Sequence, residues 1–263
     1  MNLDDTQAAA ADLQRRFGGV ARLYGGAAYE RFTRAHVVVI GIGGVGSWAA
    51  EALARSGVGA LTLIDLDHIA ESNTNRQIHA LGDEYGKAKV VAMAARIAAI
   101  NPACRVATIE EFIAPENVAE LLPAADVVID CIDQVAAKAA LIAHCRARHV
   151  TIITCGGAGG RADPTVIQQD DLARAQGDPL LSKLRYRLRR HYAFPRESTR
   201  RTPKFGVVAV FSDEPVRKPA EDCDPAARLA CAGYGSTVAV TAPLGFAAAA
   251  AALRWLADSI DSR

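Results

Sequence analysis

Residues 36–46 read HVVVIGIGGVG. The run from His36 to Ile40 is β-branched and apolar and ends at Gly41, the pattern of a strand buried in a parallel sheet. Gly41, Gly43 and Gly46 fit G-x-G-x-x-G, with Gly44 as a fourth glycine in the loop. Ser47 to Ser56 (SWAAEALARS) continues with helical spacing and strong helix formers. Strand, loop and helix in this order predict a phosphate-binding turn. The first glycine makes the tight turn and the second lets backbone approach a phosphate. The third packs helix on strand, and the helix N-terminus faces the anion. Asp65 closes the next apolar run, LTLID, 19 residues after Gly46, where a carboxylate can hydrogen-bond a ribose hydroxyl.

Working outward, the alternation continues. Lys87 to Ile100 is helical and stops at Asn101-Pro102, Cys104 to Ile109 is a strand, and Val118 to Leu122 is a short helix. Asp126 to Cys131 (DVVIDC) and Val150 to Cys155 are strands flanking a helix over Lys138 to Arg148. This rhythm predicts an α/β, Rossmann-like fold: a mostly parallel sheet with helices on both faces and a C-terminal elaboration. The chain is read as one domain, 1–263, with a nucleotide-binding core over 15–165 and a basic, then apolar, elaboration over 166–263. Residues 1–14 are expected to form a helical or frayed arm, and Arg15 to Gly26 a loop with a short helix. Residues 163–204 should be loop and helix, Val207 to Ser212 a strand, and 213–230 a mobile loop.

The 263 residues are 51% hydrophobic and 22% charged, enough to bury a core. A net charge of +1 gives no global pull toward nucleic acid or membrane, so any such attraction is local. None of the six cysteines forms a C-x-x-C pair, which argues against a paired-cysteine zinc site. Cys131 and Cys155 lie in apolar runs and read as buried thiols. Met1 to Gln14 lacks the apolar core of a signal peptide, so a cytoplasmic location is expected.

A dinucleotide dehydrogenase is the default reading of the glycine loop. The segment after Asp65 argues instead for a triphosphate: Asp67, Asn73, Asn75, Arg76 and Gln77 are polar and crowded, and Arg76 is cationic. The same run also suits a capped turn. Lys87 and Lys89 either reach a phosphate or are solvated. Asp130 and Asp133 end a strand where a carboxylate can hold magnesium, and Asp133 can equally cap the next helix.

The set Gly41–Gly46, Asp65, NTNRQ (73–77), Lys89 and Cys131-Ile132-Asp133 resembles the ubiquitin-activating enzyme-like (ThiF/MoeB-type) superfamily. A closer likeness, to its tRNA-dehydratase branch, rests on RFGGVARLYG (16–25), VVIGIGGVGSWAAEALARSG (38–57), TNRQIHAL (74–81), INPACRV (100–106), CGGAGGRADPT (155–165) and CAGYG (231–235). The resemblance implies ATP-dependent cyclisation of N6-threonylcarbamoyladenosine at position 37 of tRNA through an acyl-adenylate. It implies Arg76, Lys89 and Asp133 as catalytic residues. The nucleotide would be held by Gly41, Gly43, Gly44, Gly46, Asp65, Asp67, Asn73, Asn75, Arg76, Gln77, Lys89 and Asp133, with Mg2+ on Asp133. It also implies a homodimer, with a monovalent cation and a sulfur-transfer protein as further candidates. Where adenylyltransferase relatives carry an N-terminal arginine that crosses the dimer, this chain has Gly19, with Arg16 and Arg22 nearby. The alternative activity is adenylation of a sulfur carrier protein's C-terminus, disfavoured by the missing zinc cysteines.

Three features lie outside that core. Cys231 sits in a Gly-rich setting and reads as structural rather than nucleophilic, since cyclisation needs no covalent enzyme intermediate. Lys183 to Lys204 carries Lys183, Arg185, Arg187, Arg189, Arg190, Arg196, Arg200, Arg201 and Lys204 against the single acid Glu197, with His191, Tyr192 and Phe194 interleaved. Such a stretch is expected to contact tRNA by charge and stacking. Leu229 to Leu253 has no charged residue. It is rich in Ala and Gly and interrupted by Pro243, so it reads as a buried helix rather than a membrane anchor.

Overall fold

The computed structural model describes residues 3–196, 202–217 and 234–259. Cys223, Cys231, Arg200, Arg201 and most of the loop expected over 213–230 lie outside them. Seven strands form one sheet in the order β3-β2-β1-β4-β5-β7-β6. They are β1 (His36–Ile40), β2 (Ala60–Ile64), β3 (Arg105–Ile109), β4 (Val127–Asp130), β5 (Thr151–Cys155), β6 (Ile167–Asp171) and β7 (Val208–Ser212). All neighbours are parallel except β6, which runs antiparallel to β7. Because β1 pairs with both β2 and β4, the strand order reverses at β1, and the crevice beyond its carboxyl end is where open α/β sheets bind ligands. The expected Rossmann-like fold is the one observed.

The helices are α1 (Leu3–Tyr24), α2 (Gly26–Arg34), α3 (Gly46–Arg55), α4 (Lys89–Ile100), α5 (Val118–Leu121), α6 (Val135–Ala147), α7 (Pro179–His191) and α8 (Val238–Asp258). One apolar layer joins α3, α4 and α8 to the sheet through Leu53, Val37, Val39, Met93 and Leu244. The other joins α6 and α7 through Val38, Val128, Leu141, Leu181 and Leu184. Alternate residues of β1 therefore face opposite layers, as a doubly covered strand requires. Helix α8 is long and apolar enough to cross a membrane, yet it buries Leu244, Ala248, Ala252 and Leu256 at helical spacing in the first layer. A Cβ on Gly245 would stand 2.4 Å from the Val45 carbonyl, so its absence lets α8 close onto α3. Arg31 then donates to the carbonyls of Leu256 and Ala257 at the far end of α8 (2.9 and 2.6 Å).

Two stretches differ from expectation. Arg15 to Tyr24 continues α1 as helix, and the break comes only at Gly25, with φ 86°. Gly18 and Gly19 lower helix propensity, but Phe17 is buried and Arg16 donates to the carbonyls of Ala99 and Ile100 that end α4 (3.1 and 2.9 Å). Tertiary contacts outweigh local preference here. Strand β6 was expected as loop or helix, because its sequence IQQDD has no apolar alternation. It is an edge strand, mostly exposed, held by its ladder to β7.

Asp130, expected as an open carboxylate, is instead fully buried. Its Oδ2 meets Lys138 Nζ at 2.9 Å and accepts from the Thr154 hydroxyl at 2.7 Å, with both partners of the ion pair at 0% exposure. Lys138 also donates to the Ile132 carbonyl at 2.8 Å, fixing the turn after β4. Removing one partner leaves an uncompensated buried charge. Lys138→Met should cost about 3–5 kcal/mol, roughly ten degrees of melting temperature for a chain this size. Thermal denaturation checks this; a drop of only about a degree would mean that the buried pair does not hold β4 and α6 in place.

Candidate active site

Each loop glycine has its own steric reason. Gly41 has φ 83°, and a Cβ there would stand 2.9 Å from the Cys131 carbonyl at the end of β4. A Cβ on Gly46 would stand 1.9 Å from the Gly41 carbonyl. Gly44 lies under the stem of Arg76, whose Cγ is 3.2 Å from a built Cβ, and beside Thr241 Cγ2, also at 3.2 Å. At Gly43 the nearest atom is Gln77 Nε2, at 3.9 Å, so this face of the loop is uncrowded. The first turn of α3 stands behind the loop and supplies the positive end of its dipole.

Asp65 comes directly after β2 and is buried. Its Oδ2 accepts from the Ile42 N–H at 2.6 Å and its Oδ1 from the Asp67 N–H at 2.8 Å, so it ties the glycine loop to the end of β2. Burial raises its pKa, opposed by nearby Lys89 and by these two N–H groups. Each carboxylate oxygen has a second lone pair, so Asp65 retains acceptor capacity for a hydroxyl. Lys89 is 5% exposed, with its Nζ 2.7 Å from Asp67 Oδ2. Lys87 instead turns outward to Glu84 at 2.9 Å. Of the two lysines, Lys89 is the one beside the site.

The segment 73–77 does two things. Asn73 Oδ1 accepts from the Ala70 N–H at 3.0 Å, which makes the turn. Asn75 donates to the Ser236 carbonyl at 2.8 Å, and its own carbonyl accepts from the Val238 N–H at 3.0 Å. Arg76 Nη1 donates to the Ser72 carbonyl and to Asn75 Oδ1 (2.7 and 2.8 Å). The Arg76 carbonyl accepts from Trp48 Nε1 at 2.9 Å and from the Thr241 hydroxyl at 3.4 Å. Gln77 is buried with its Oε1 unpaired among the described residues, as is the Ser47 hydroxyl beside the loop. Sequence reading missed Trp48, Ser236 and Thr241. No local motif marks them, because Trp48 meets Arg76 across the turn and Ser236 and Thr241 meet Asn75 and Arg76 only when α8 packs on α3.

Asp133 is exposed beyond the end of β4. Helix α6 begins at Val135 with Gln134 in the capping position, so Asp133 is not its N-cap. The loop after β5 is held by Asp178, whose Oδ2 accepts from the Gly157 N–H at 2.9 Å and from Arg161 at 3.1 Å, the ion pair being almost wholly buried. Arg16 is engaged at the end of α4, and Arg22 lies back along Gly18 and Gly19. Cys131 and Cys155 face each other at 3.8 Å, and that contact, with burial, holds the Cys131 thiol well above its usual range. Burial pushes Cys104 up to about 11 and Cys145 up to about 12, so these thiols stay protonated.

A glycine loop at the reversal of a parallel sheet, with an acid at the end of the second strand and a lysine and an arginine beside it, defines a nucleotide-binding α/β protein of the Rossmann-like class. The ThiF family matches residues 15–262, and the chain belongs to that family. It is 50% identical to the tRNA threonylcarbamoyladenosine dehydratase of Escherichia coli (strain K12), over 92% of this chain and 93% of the relative. It is 48% identical to the protein of that name from Haemophilus influenzae, over 89% and 90%. The crystal structure of the E. coli dehydratase in complex with ATP superposes with a TM-score of 0.84 at 49% identity, covering 92% of this chain and 94% of that one.

Two outcomes are expected. Asp65→Asn leaves one of the two backbone donors without an acceptor, so ATP affinity by calorimetry should fall about tenfold or more; unchanged affinity would detach Asp65 from the nucleotide. Among the described residues His79 is buried with both ring nitrogens unpaired, and burial, then Lys89 and Arg96, lower its pKa to about 4. The unfolded chain takes up this proton below the ordinary value of 6.5 while the folded chain resists it, so stability is full above pH 6.5 and is lost toward about pH 4. That window amounts to about 3 kcal/mol. His79→Leu should flatten this acid limb in urea titrations; an identical limb would exclude His79 as its source.

Proposed function

We propose that this chain catalyses the ATP-dependent dehydration of N6-threonylcarbamoyladenosine at position 37 of tRNA to its cyclic form. The observation that carries this reading is the glycine loop tied by Asp65 to β2 with Arg76 folded over it, in a chain half identical along its length to dehydratases of that name. The threonine carboxylate attacks the α-phosphate of ATP, forming a C(=O)–O–P bond and releasing pyrophosphate. Ring closure within the same side chain then breaks that acyl–oxygen bond and releases AMP, so the nucleoside loses one water. The loop backbone at Gly43 and Gly44 receives phosphates and Asp65 holds the ribose. Arg76 and Lys89 stabilise charge on the α-phosphate and the leaving pyrophosphate from fixed positions. Gln77 offers its unpaired Oε1 to the nucleotide, while Asn73, Asn75 and Asp67 hold Arg76 and Lys89 in place.

Magnesium fits this donor set. Asp130 is engaged by Lys138, which leaves Asp133 as the exposed carboxylate, and one carboxylate plus substrate phosphates is a usual magnesium environment. The ion would offset phosphate charge. A homodimer, a cytoplasmic location and a single functional domain over 1–263 belong to the same reading. A monovalent cation and a sulfur-transfer partner are its further candidates. Adenylation of a sulfur carrier protein is the second activity this fold supports, and full-length likeness to dehydratases disfavours it.

Incubation with ATP, magnesium and tRNA bearing the modified adenosine, followed by nucleoside mass spectrometry, should show loss of one water only when ATP is present. Arg76→Ala should lower kcat by about two to three orders of magnitude. ATP binding without any mass change would sink the dehydratase reading.

A further inference from the structure

We infer that the outward face of α7 is the RNA-docking strip of this protein, with Tyr186 stacking on an unpaired base and Lys183 and Arg190 on flanking phosphates. This rests on the tRNA substrate proposed above. Helix α7 buries Leu181, Leu184 and Leu188 at 0% exposure, which turns Lys183, Tyr186 and Arg190 to the opposite side. Residues 179–191 contain no acid. Tyr186 is 61% exposed, and a large aromatic set among cations on open surface has the makeup of a single-strand stacking platform. The ring is held in place: Arg190 Nη1 donates to the Tyr186 hydroxyl at 2.6 Å, with its guanidinium 5.8 Å from the ring centroid.

Two neighbouring cations of the basic stretch are structural. Arg185 donates to the Ala175 carbonyl. Arg189 donates to the Pro195 carbonyl at 3.2 Å and lies over Phe205, while Arg146 at the end of α6 lies over Phe194. Phe194, expected as a stacking residue, is 5% exposed and packs edge-on against Phe205, so it cannot meet a base. Tyr186, overlooked in the sequence, takes that place.

Position in the fold supplies the second reason. Asp178 caps α7 by accepting from the Leu181 N–H at 2.9 Å, and its other oxygen accepts from Gly157 in the loop after β5. That loop lies at the same end of the parallel sheet as the glycine loop and Asp133. With a rise of about 1.5 Å per residue, the strip starts at the crevice end of the sheet and runs about 20 Å down the flank of the molecule beside α6, to where Phe194 meets Arg146. An anticodon stem-loop whose modified base enters the crevice would lay its backbone along this path.

The test is fluorescence anisotropy with a labelled anticodon stem-loop RNA, with ATP affinity measured on the same variants. Tyr186→Ala should weaken RNA binding about tenfold or more, while Tyr186→Phe, which keeps the ring but loses the hydrogen bond from Arg190, should stay within about threefold of wild type. Lys183→Ala with Arg190→Ala should also flatten the dependence of log Kd on log salt by about one to two units. ATP affinity should stay at the wild-type value throughout. RNA affinity and salt slope equal to wild type in every variant would overturn the proposal. So would Tyr186→Phe binding as poorly as Tyr186→Ala, or ATP affinity falling together with RNA affinity. Strip-dependent RNA binding without dehydration would fail the functional reading alone, and full turnover with unaffected variants would fail the strip alone.

Discussion

A side-chain carbon at residue 46 would stand 1.9 Å from the Gly41 carbonyl, and the site depends on its absence. With glycine there, α3 starts directly on the turn that leaves β1, and its N-terminal N–H groups stand behind the open face at Gly43. The close seating of α3 sets where α8 can lie. Gly245 lets α8 approach the Val45 carbonyl, which brings Thr241 and the Val238 N–H against Arg76 and Asn75. The C-terminal helix thus becomes a wall of the candidate site, although it lies about as far from the glycine loop in sequence as the chain allows.

Several buried charges around this site are held in ion pairs, while buried Asp65 is held by two backbone N–H groups. Lys138 holds Asp130, Asp178 holds Arg161, and Glu51 is gripped by both Arg55 and Arg96 at 2.7 and 2.6 Å. Pairs of this kind add little net stability against an apolar core of the same shape. Their effect is geometric, because most also fix a strand end or a loop: Lys138 fixes the turn after β4, and Asp178 the loop after β5. The edge of the sheet that carries the candidate site is therefore positioned by fixed charges, the condition under which electrostatic stabilisation costs no reorganisation during reaction.

The two ends of the chain's chemistry meet along that edge. The β1 and β2 side carries the phosphate loop, Asp65, Lys89 and Arg76. The β4 and β5 side carries Asp133 and the loop that roots α7. An enzyme that adenylates a group on a macromolecule needs both a dry phosphate site and a path for a large anionic substrate. The Ala-rich composition of α8 answers a packing demand of the same design, since small residues let a long helix lie close to α3 and the sheet.

The sequence alone determined the strand–glycine loop–helix unit, the acid after the second strand and the alternation that makes a parallel sheet. These are local patterns, in which hydrophobic period and glycine placement derive directly from backbone geometry. It also marked Arg76, Gln77, Lys89 and Asp133 as candidates through the family resemblance, while spacing alone left Lys87 beside Lys89 and Asp130 beside Asp133. The tertiary structure supplies the physical difference within each pair: Lys89 turns inward to Asp67 while Lys87 meets Glu84, and Asp130 is buried against Lys138 while Asp133 stays at the surface. The polar strand β6, the uninterrupted helix through Arg15 to Tyr24, and the exchange of Phe194 for Tyr186 at the surface were decided the same way. In each case the outcome depends on which partner a residue meets across the fold, and a contact between positions far apart in sequence leaves no periodic trace along the chain.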